Sequence, residues 1–129
     1  MNYSRLSRDP NIISAYVLGS YVKGQDRLDS DFDLAVVVKR KHEHSDEQIY
    51  QLIKDLSFPK NLDLSVVDKT SSPLFLFQII STGKRIYASS LVVATRFEAF
   101  VLHHYYDTAH IRNIYYSYLK QKFPPEYAN

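Results

Sequence analysis

The sequence contains no cysteine and no tryptophan, and only three glycines and one methionine in 129 residues. Without cysteine, disulfides, thiolate metal sites and thiol nucleophiles are excluded together. An excess of charge is missing too: sixteen basic and fourteen acidic side chains leave a formal charge of +2. That is too small for a surface built chiefly to coat a phosphate backbone, so no direct nucleic-acid contact is expected and an anionic ligand should be small. No apolar run approaches the roughly 20 residues of a membrane span; the segment 74–80, for example, is interrupted by Gln78. No secretory pattern begins at Met1, which makes the cytoplasm the expected compartment.

What is present describes an ordinary globular chain. Apolar residues make up 45% and charged residues 23% of the sequence, in the range of a folded domain. The length fits a single domain over residues 1–129, with an α/β core at about 11–88 and a C-terminal helix at about 90–120.

Two short apolar runs, Ile12–Leu18 and Phe32–Val38, are rich in β-branched residues and bounded by turn signals or by the basic cluster Lys39, Arg40 and Lys41. They read as buried strands. Ser45 and Gln48 have capping-box spacing, and Ile49, Leu52, Ile53 and Leu56 follow at helical intervals, predicting a helix that ends near Phe58 and Pro59. In the segment 62–67, Leu62, Leu64 and Val66 alternate with Asp63, Ser65 and Val67, the period of a strand. Ser72 and Pro73 open a further helix closed by Gly83, and Arg85 to Ala88 supply a last strand. From 90 to 120 there is neither proline nor glycine, and the spacing predicts one long helix. The expected fold class is α/β (α+β): a small β-sheet flanked by helices.

The chemistry lies in a conjunction of residues. Asp31 and Asp33 stand two apart at the mouth of a strand, where a period of two puts both carboxylates on one face. Convergent carboxylates repel unless a cation or a proton compensates them, and hard oxygen donors suit Mg²⁺ or Mn²⁺. Asp63 interrupts an apolar strand and is the natural third carboxylate, as metal ligand or base. Upstream, Gly19 and Ser20 lie where the first strand hands over to a short helical turn, so that free backbone N–H groups and a hydroxyl face an anion. Lys23, in the same connection, is a candidate to neutralise phosphate charge. Together these residues fit two-metal nucleotidyl transfer, with catalytic and metal residues Asp31, Asp33 and Asp63 and nucleotide-binding residues Gly19, Ser20 and Lys23.

The stretch from Leu18 through Gly19, Ser20 and Lys23 to Gly24, followed by Ser30 to Leu34, resembles the signature of the DNA polymerase β-like nucleotidyltransferase superfamily. Within it, the short chain is similar to the minimal nucleotidyltransferase (MNT) group, whose members commonly act as antitoxins to HEPN-domain ribonuclease toxins. The resemblance covers residues 12 to about 87 and extends loosely over the C-terminal helix. It implies a small mixed β-sheet with Gly19 and Ser20 at the phosphates of ATP, Asp31 and Asp33 on Mg²⁺ (two ions), and Asp63 as the third catalytic carboxylate. It further implies a hetero-oligomer with a HEPN toxin, silenced by AMP transferred onto a tyrosine. Lys23 stands where the family often has arginine, keeping charge but losing bidentate phosphate geometry.

Two other functions compete: an antitoxin acting by complex formation alone, and a small-molecule nucleotidyltransferase, for which one C-terminal helix leaves little room. His42 and His44 sit in a charged connection and read as solvated loop. Arg96 with His103 superficially resembles the HEPN ribonuclease motif, but a chain rich in strands does not fit an all-helical fold. The tyrosines at 105, 106, 115, 116 and 118 exceed what one buried stripe needs, which divides them between core and a partner surface.

Overall fold

The apolar runs Ile12–Leu18 and Phe32–Val38 are interrupted only by Ser14 and Asp33 because each becomes a central strand covered on both faces. The computed structural model describes residues 3–19, 32–56 and 61–123. Strands β1 (Ile12–Leu18), β2 (Phe32–Val38), β3 (Leu62–Val67) and β4 (Lys84–Ala88) form one sheet in the order β3-β2-β1-β4. β1 runs antiparallel to β2 and β4, and β2 runs parallel to β3, so the sheet is mixed.

A 3-10 turn, Ser4–Arg8, and helix α1 (Ser45–Ile53) cover one face. Leu6, Ile12, Ala15, Val17, Leu34, Val36, Ile49 and Ile53 pack together there. Burying Ile49 and Ile53, which are 1% and 0% exposed, holds α1 with about 1.5–3 kcal/mol per side chain. Helices α2 (Pro73–Thr82) and α3 (Leu91–Asp107) cover the other face. That layer contains Ile13, Tyr16, Ala35, Val37, Leu76, Ile79, Ala94, Phe97 and Val101. β1 serves both layers through a register shift between Ile12 and Ser14, which puts Ile12 with Ala15 on one face and Ile13 with Tyr16 on the other.

Several expectations are corrected. The C-terminal segment is two helices, α3 and α4 (Ala109–Lys122), divided at Thr108. The hydroxyl of Thr108 donates toward the carbonyls of His104 and Tyr105, while the Arg112 guanidinium donates to the Tyr105 carbonyl and the Thr108 hydroxyl. The His104 carbonyl still accepts the Thr108 backbone N–H, whereas the Tyr105 carbonyl, which a continuing helix would pair with the Ala109 N–H, is taken by side chains. α1 ends at Ile53, ahead of the expected stop. Ser45 is its first residue and not its cap: the hydroxyl accepts from the His42 backbone N–H at 2.8 Å, and His44 holds the cap position without a side-chain bond. α2 begins as expected, with Pro73 in the first turn and the Ser72 hydroxyl accepting from the Phe75 N–H. The short helix expected after Ser20 falls outside the described residues.

Candidate active site

β1, β2 and β3 bring three positions of the motif to one end of the sheet. Leu18 pairs with Asp33 across the antiparallel ladder, and Asp33 pairs with Asp63 across the parallel one. Directly opposed residues share a face, and adjacent strands lie about 4.8 Å apart. Phe32, Leu34, Leu62 and Leu64 all pack toward α1, so the alternation turns Asp33 and Asp63 to the opposite face, where Leu18 joins the α2 and α3 layer. β3 is an edge strand and Asp63 is exposed. Taken singly it is a surface residue; its register against Asp33 makes it part of a carboxylate pair.

Gly19 completes the arrangement from the main chain. Its φ is 76°, in the left-handed region, and a Cβ built there would stand 2.9 Å from Asp33 Oδ2. Only glycine combines this backbone conformation with that close approach. The Asp33 carboxylate therefore lies against the turn that leaves β1. Two carboxylates facing the same space, with the backbone pressed up to one of them, form a hard-oxygen donor set suited to a divalent cation.

Among the described residues no group of three or more metal-ligating side chains occurs. The structure unites two of the three expected aspartates, Asp33 and Asp63, with Gly19. Asp31, Ser20 and Lys23 lie outside the described residues.

Two supports were not evident beforehand. Gly83 closes α2 as expected, and it is also needed for space: a Cβ there would lie 2.4 Å from the Ile79 carbonyl oxygen and 2.7 Å from Leu18 Cδ2. It lets the end of α2 seat against the residue preceding Gly19. Glu98 of α3 accepts on a single oxygen from the Tyr16 hydroxyl at 2.5 Å and from Arg85 at 3.0 Å, tying α3 to β1 and β4 two residues from Leu18. Burial, reinforced by the bond to Glu98, pushes the Tyr16 phenol far above its ordinary value, so it stays neutral. Contacts so distant in sequence leave no local signal.

At the opposite end of β3, buried Asp68 joins two loops. It accepts from the Lys41 N–H at 2.7 Å, the Thr70 N–H at 2.8 Å and the Thr70 hydroxyl at 2.6 Å. Burial pushes its carboxyl up, but these donors outweigh burial and hold it below the usual carboxylate value. Its role is to brace the loops flanking α1 and α2. Along the free edge of β3 runs an open groove of about 470 Å³, lined in part by Lys41, Ser65, Ser72 and Phe75. Arg96 and His103 lie along α3 within a strand-containing fold, which rules out the all-helical reading.

A mixed sheet with carboxylates side by side on adjacent strands, next to a left-handed glycine, is an arrangement that suits phosphoryl transfer. Residues 3–91 match the family model described as polymerase beta, nucleotidyltransferase. The chain belongs to the polymerase β nucleotidyltransferase family. No curated protein matches the sequence. Among solved structures, a chain of a toxin–antitoxin complex with AMP-PNP is 20% identical, with a TM-score of 0.67 over 92% of this chain and 99% of that one. A chain from a complex of tri-AMPylated Shewanella oneidensis HEPN toxin with MNT antitoxin is 19% identical, with a TM-score of 0.61 over 88% of each chain. A chain of the MntA–HepT complex is 19% identical, with a TM-score of 0.60 over 90% of this chain and 92% of that one. These likenesses extend the shared fold beyond β4 into the C-terminal helices.

Proposed function

We propose that this chain is an Mg²⁺-dependent protein adenylyltransferase that moves AMP from ATP onto a tyrosine of a partner HEPN ribonuclease toxin and thereby neutralises it. The observation that carries the reading is the Asp33–Asp63 pair on one face with Gly19 pressed against Asp33. Its support beyond the family is the kind of structure the fold resembles: complexes of toxins with antitoxins, one with AMP-PNP and one with an AMPylated toxin. Two separate helices at the C-terminus also remove the argument that a small-molecule acceptor lacks room. The protein acceptor is preferred on the resemblance to those complexes. Among the described residues no helix is long and apolar enough to cross a membrane, and we assign the protein to the cytoplasm.

Asp33 and Asp63, together with Asp31, are the carboxylates that would hold Mg²⁺, with Mn²⁺ a substitute. Bound there, the cation supplies charge neutralisation to the triphosphate and acidifies the attacking hydroxyl. The turn at Gly19 and Ser20, with Lys23, orients the triphosphate through backbone N–H groups and one positive charge. The phenolic oxygen of the acceptor tyrosine attacks the α-phosphorus, the bond to the oxygen bridging the α- and β-phosphorus breaks, and pyrophosphate leaves with that electron pair. Asp63 receives the phenolic proton, consistent with its exposure on an edge strand.

The test is incubation with α-³²P-labelled ATP, Mg²⁺ and the helical protein encoded beside this chain. The partner should become labelled on tyrosine, and Asp33→Asn should abolish the label. An unlabelled partner in the presence of the intact chain would reject the proposal.

A further inference from the structure

Helix α4 turns its apolar side to water. Ile111, Ile114, Tyr115 and Tyr118 follow the i, i+3, i+4, i+7 spacing of one stripe and are 67%, 57%, 58% and 52% exposed. The side that rests on the protein is a different one, carrying Ala109, Arg112 and Leu119, and none of the helix's residues is fully buried. A surface helix ordinarily does the reverse, putting its apolar stripe on the core and its polar side outward. Fourteen residues are also near the lower limit for a helix without tertiary packing, which is about 12–15 residues. A stripe of this kind is an association surface.

Charge selects the occupant. α4 carries His110, Arg112, Lys120 and Lys122 and no acidic residue. Arg112 is turned inward, its guanidinium 3.9 Å from the centre of the Tyr105 ring and bonded to the Tyr105 carbonyl. Lys122, four residues beyond Tyr118, continues the stripe with its ammonium 3.3 Å from the Tyr118 hydroxyl, whereas Lys120 falls on the opposite side of the helix. A second copy of the same helix would present lysines with no carboxylate on α4 to answer them. A different protein helix, apolar along one stripe and edged with Asp or Glu, satisfies both the tyrosines and Lys122.

We infer that α4 is the docking helix of this chain, and that its apolar stripe seats an acid-edged helix of the partner protein. This rests on reading the chain as one half of a two-protein module; it adds where the partner is held, on an element outside the carboxylate site.

The experiment measures complex formation between the intact chain and the co-expressed helical protein encoded beside it, by titration calorimetry and sedimentation. Ile111→Asp combined with Tyr115→Asp should weaken the complex at least about thirtyfold, as expected for central anchors of an interface. Lys122→Glu should weaken it and flatten its dependence on salt, whereas Lys120→Glu, on the far side of the helix, should do neither. Tyr50→Asp, a comparably exposed position on α1, should leave binding unchanged, and thermal midpoints will establish that the variants remain folded. Wild-type affinity in both the Ile111→Asp, Tyr115→Asp double variant and Lys122→Glu overturns the inference, as does the absence of any complex with the intact chain. Self-association of the wild type that the α4 variants abolish would make the occupant a second copy, and binding of a single-stranded oligonucleotide lost in the same variants would make it nucleic acid; either result overturns the inference. The two readings fail separately: a complex that depends on α4 but yields no labelled partner removes the transferase, whereas labelling that needs Asp33 but ignores α4 removes the docking helix.

Discussion

Gly19 and Asp33 meet at the end of the β1–β2 ladder so closely that a methyl group on the glycine would stand 2.9 Å from the aspartate's Oδ2. Gly19→Ala therefore meets two obstacles. The left-handed backbone is expected to cost about 1–2 kcal/mol, and the new methyl displaces the Asp33 carboxylate. Thermal denaturation should register a modest loss of stability, while AMP transfer should fall far more steeply. Activity that declines only in proportion to the folded fraction would argue against the site.

Asp63→Asn is expected to separate function from stability. The side chain is exposed on an edge strand, so the thermal midpoint should change little. AMP transfer should drop at least about a hundredfold, the scale of losing one charge-stabilising group at a transfer centre. EDTA should abolish transfer by the wild type, with Mg²⁺ or Mn²⁺ restoring it.

Asp68 should govern acid stability. Its folded-state carboxyl titrates below the ordinary 3.8, so its stabilising bonds are fully present above the unfolded-state value and disappear as pH falls through the folded one. Urea denaturation should therefore show stability declining below about pH 4, with a shallower decline in Asp68→Asn. At neutral pH, Asp68→Ala should cost about 2–3 kcal/mol by stranding the donors of Lys41 and Thr70.

Tyr16 behaves in the opposite sense at the alkaline end. Burial and the bond to Glu98 raise its folded-state value above the ordinary 10.0. Its contribution is whole below the unfolded-state value and is lost as pH rises beyond it. Stability should fall above about pH 10, and Tyr16→Phe should lessen that fall while costing about 1 kcal/mol at neutral pH.

β1, β2 and β3 were legible because strands buried on both faces are runs of β-branched residues, and because Asp63 breaks an alternation that Leu62, Leu64 and Val66 keep. The division at Thr108 was not: no proline or glycine marks it, and at the break a threonine hydroxyl and the Arg112 fork occupy the Tyr105 carbonyl, a group that any helix of that composition presents. The tyrosines divide unequally. Tyr105 stacks on Phe77 with ring centres 3.9 Å apart, whereas Tyr106, Tyr115, Tyr116 and Tyr118 stay in water. Composition could not assign them, since the face a helix offers to its neighbours depends on how it is seated.

The sequence by itself determined the chemistry available here: no thiol, little net charge, a glycine at a strand end and aspartates on apolar strands, each a property of residue type and spacing. Only the tertiary structure decided that Asp33 and Asp63 act as a pair, because parallel register between strands joined through α1 is settled by packing on both faces of the sheet and not by any local pattern. The same holds for α4, whose apolar stripe is written in its periodicity but whose outward direction follows from the break at Thr108 and from the anchoring of Arg112 on Tyr105.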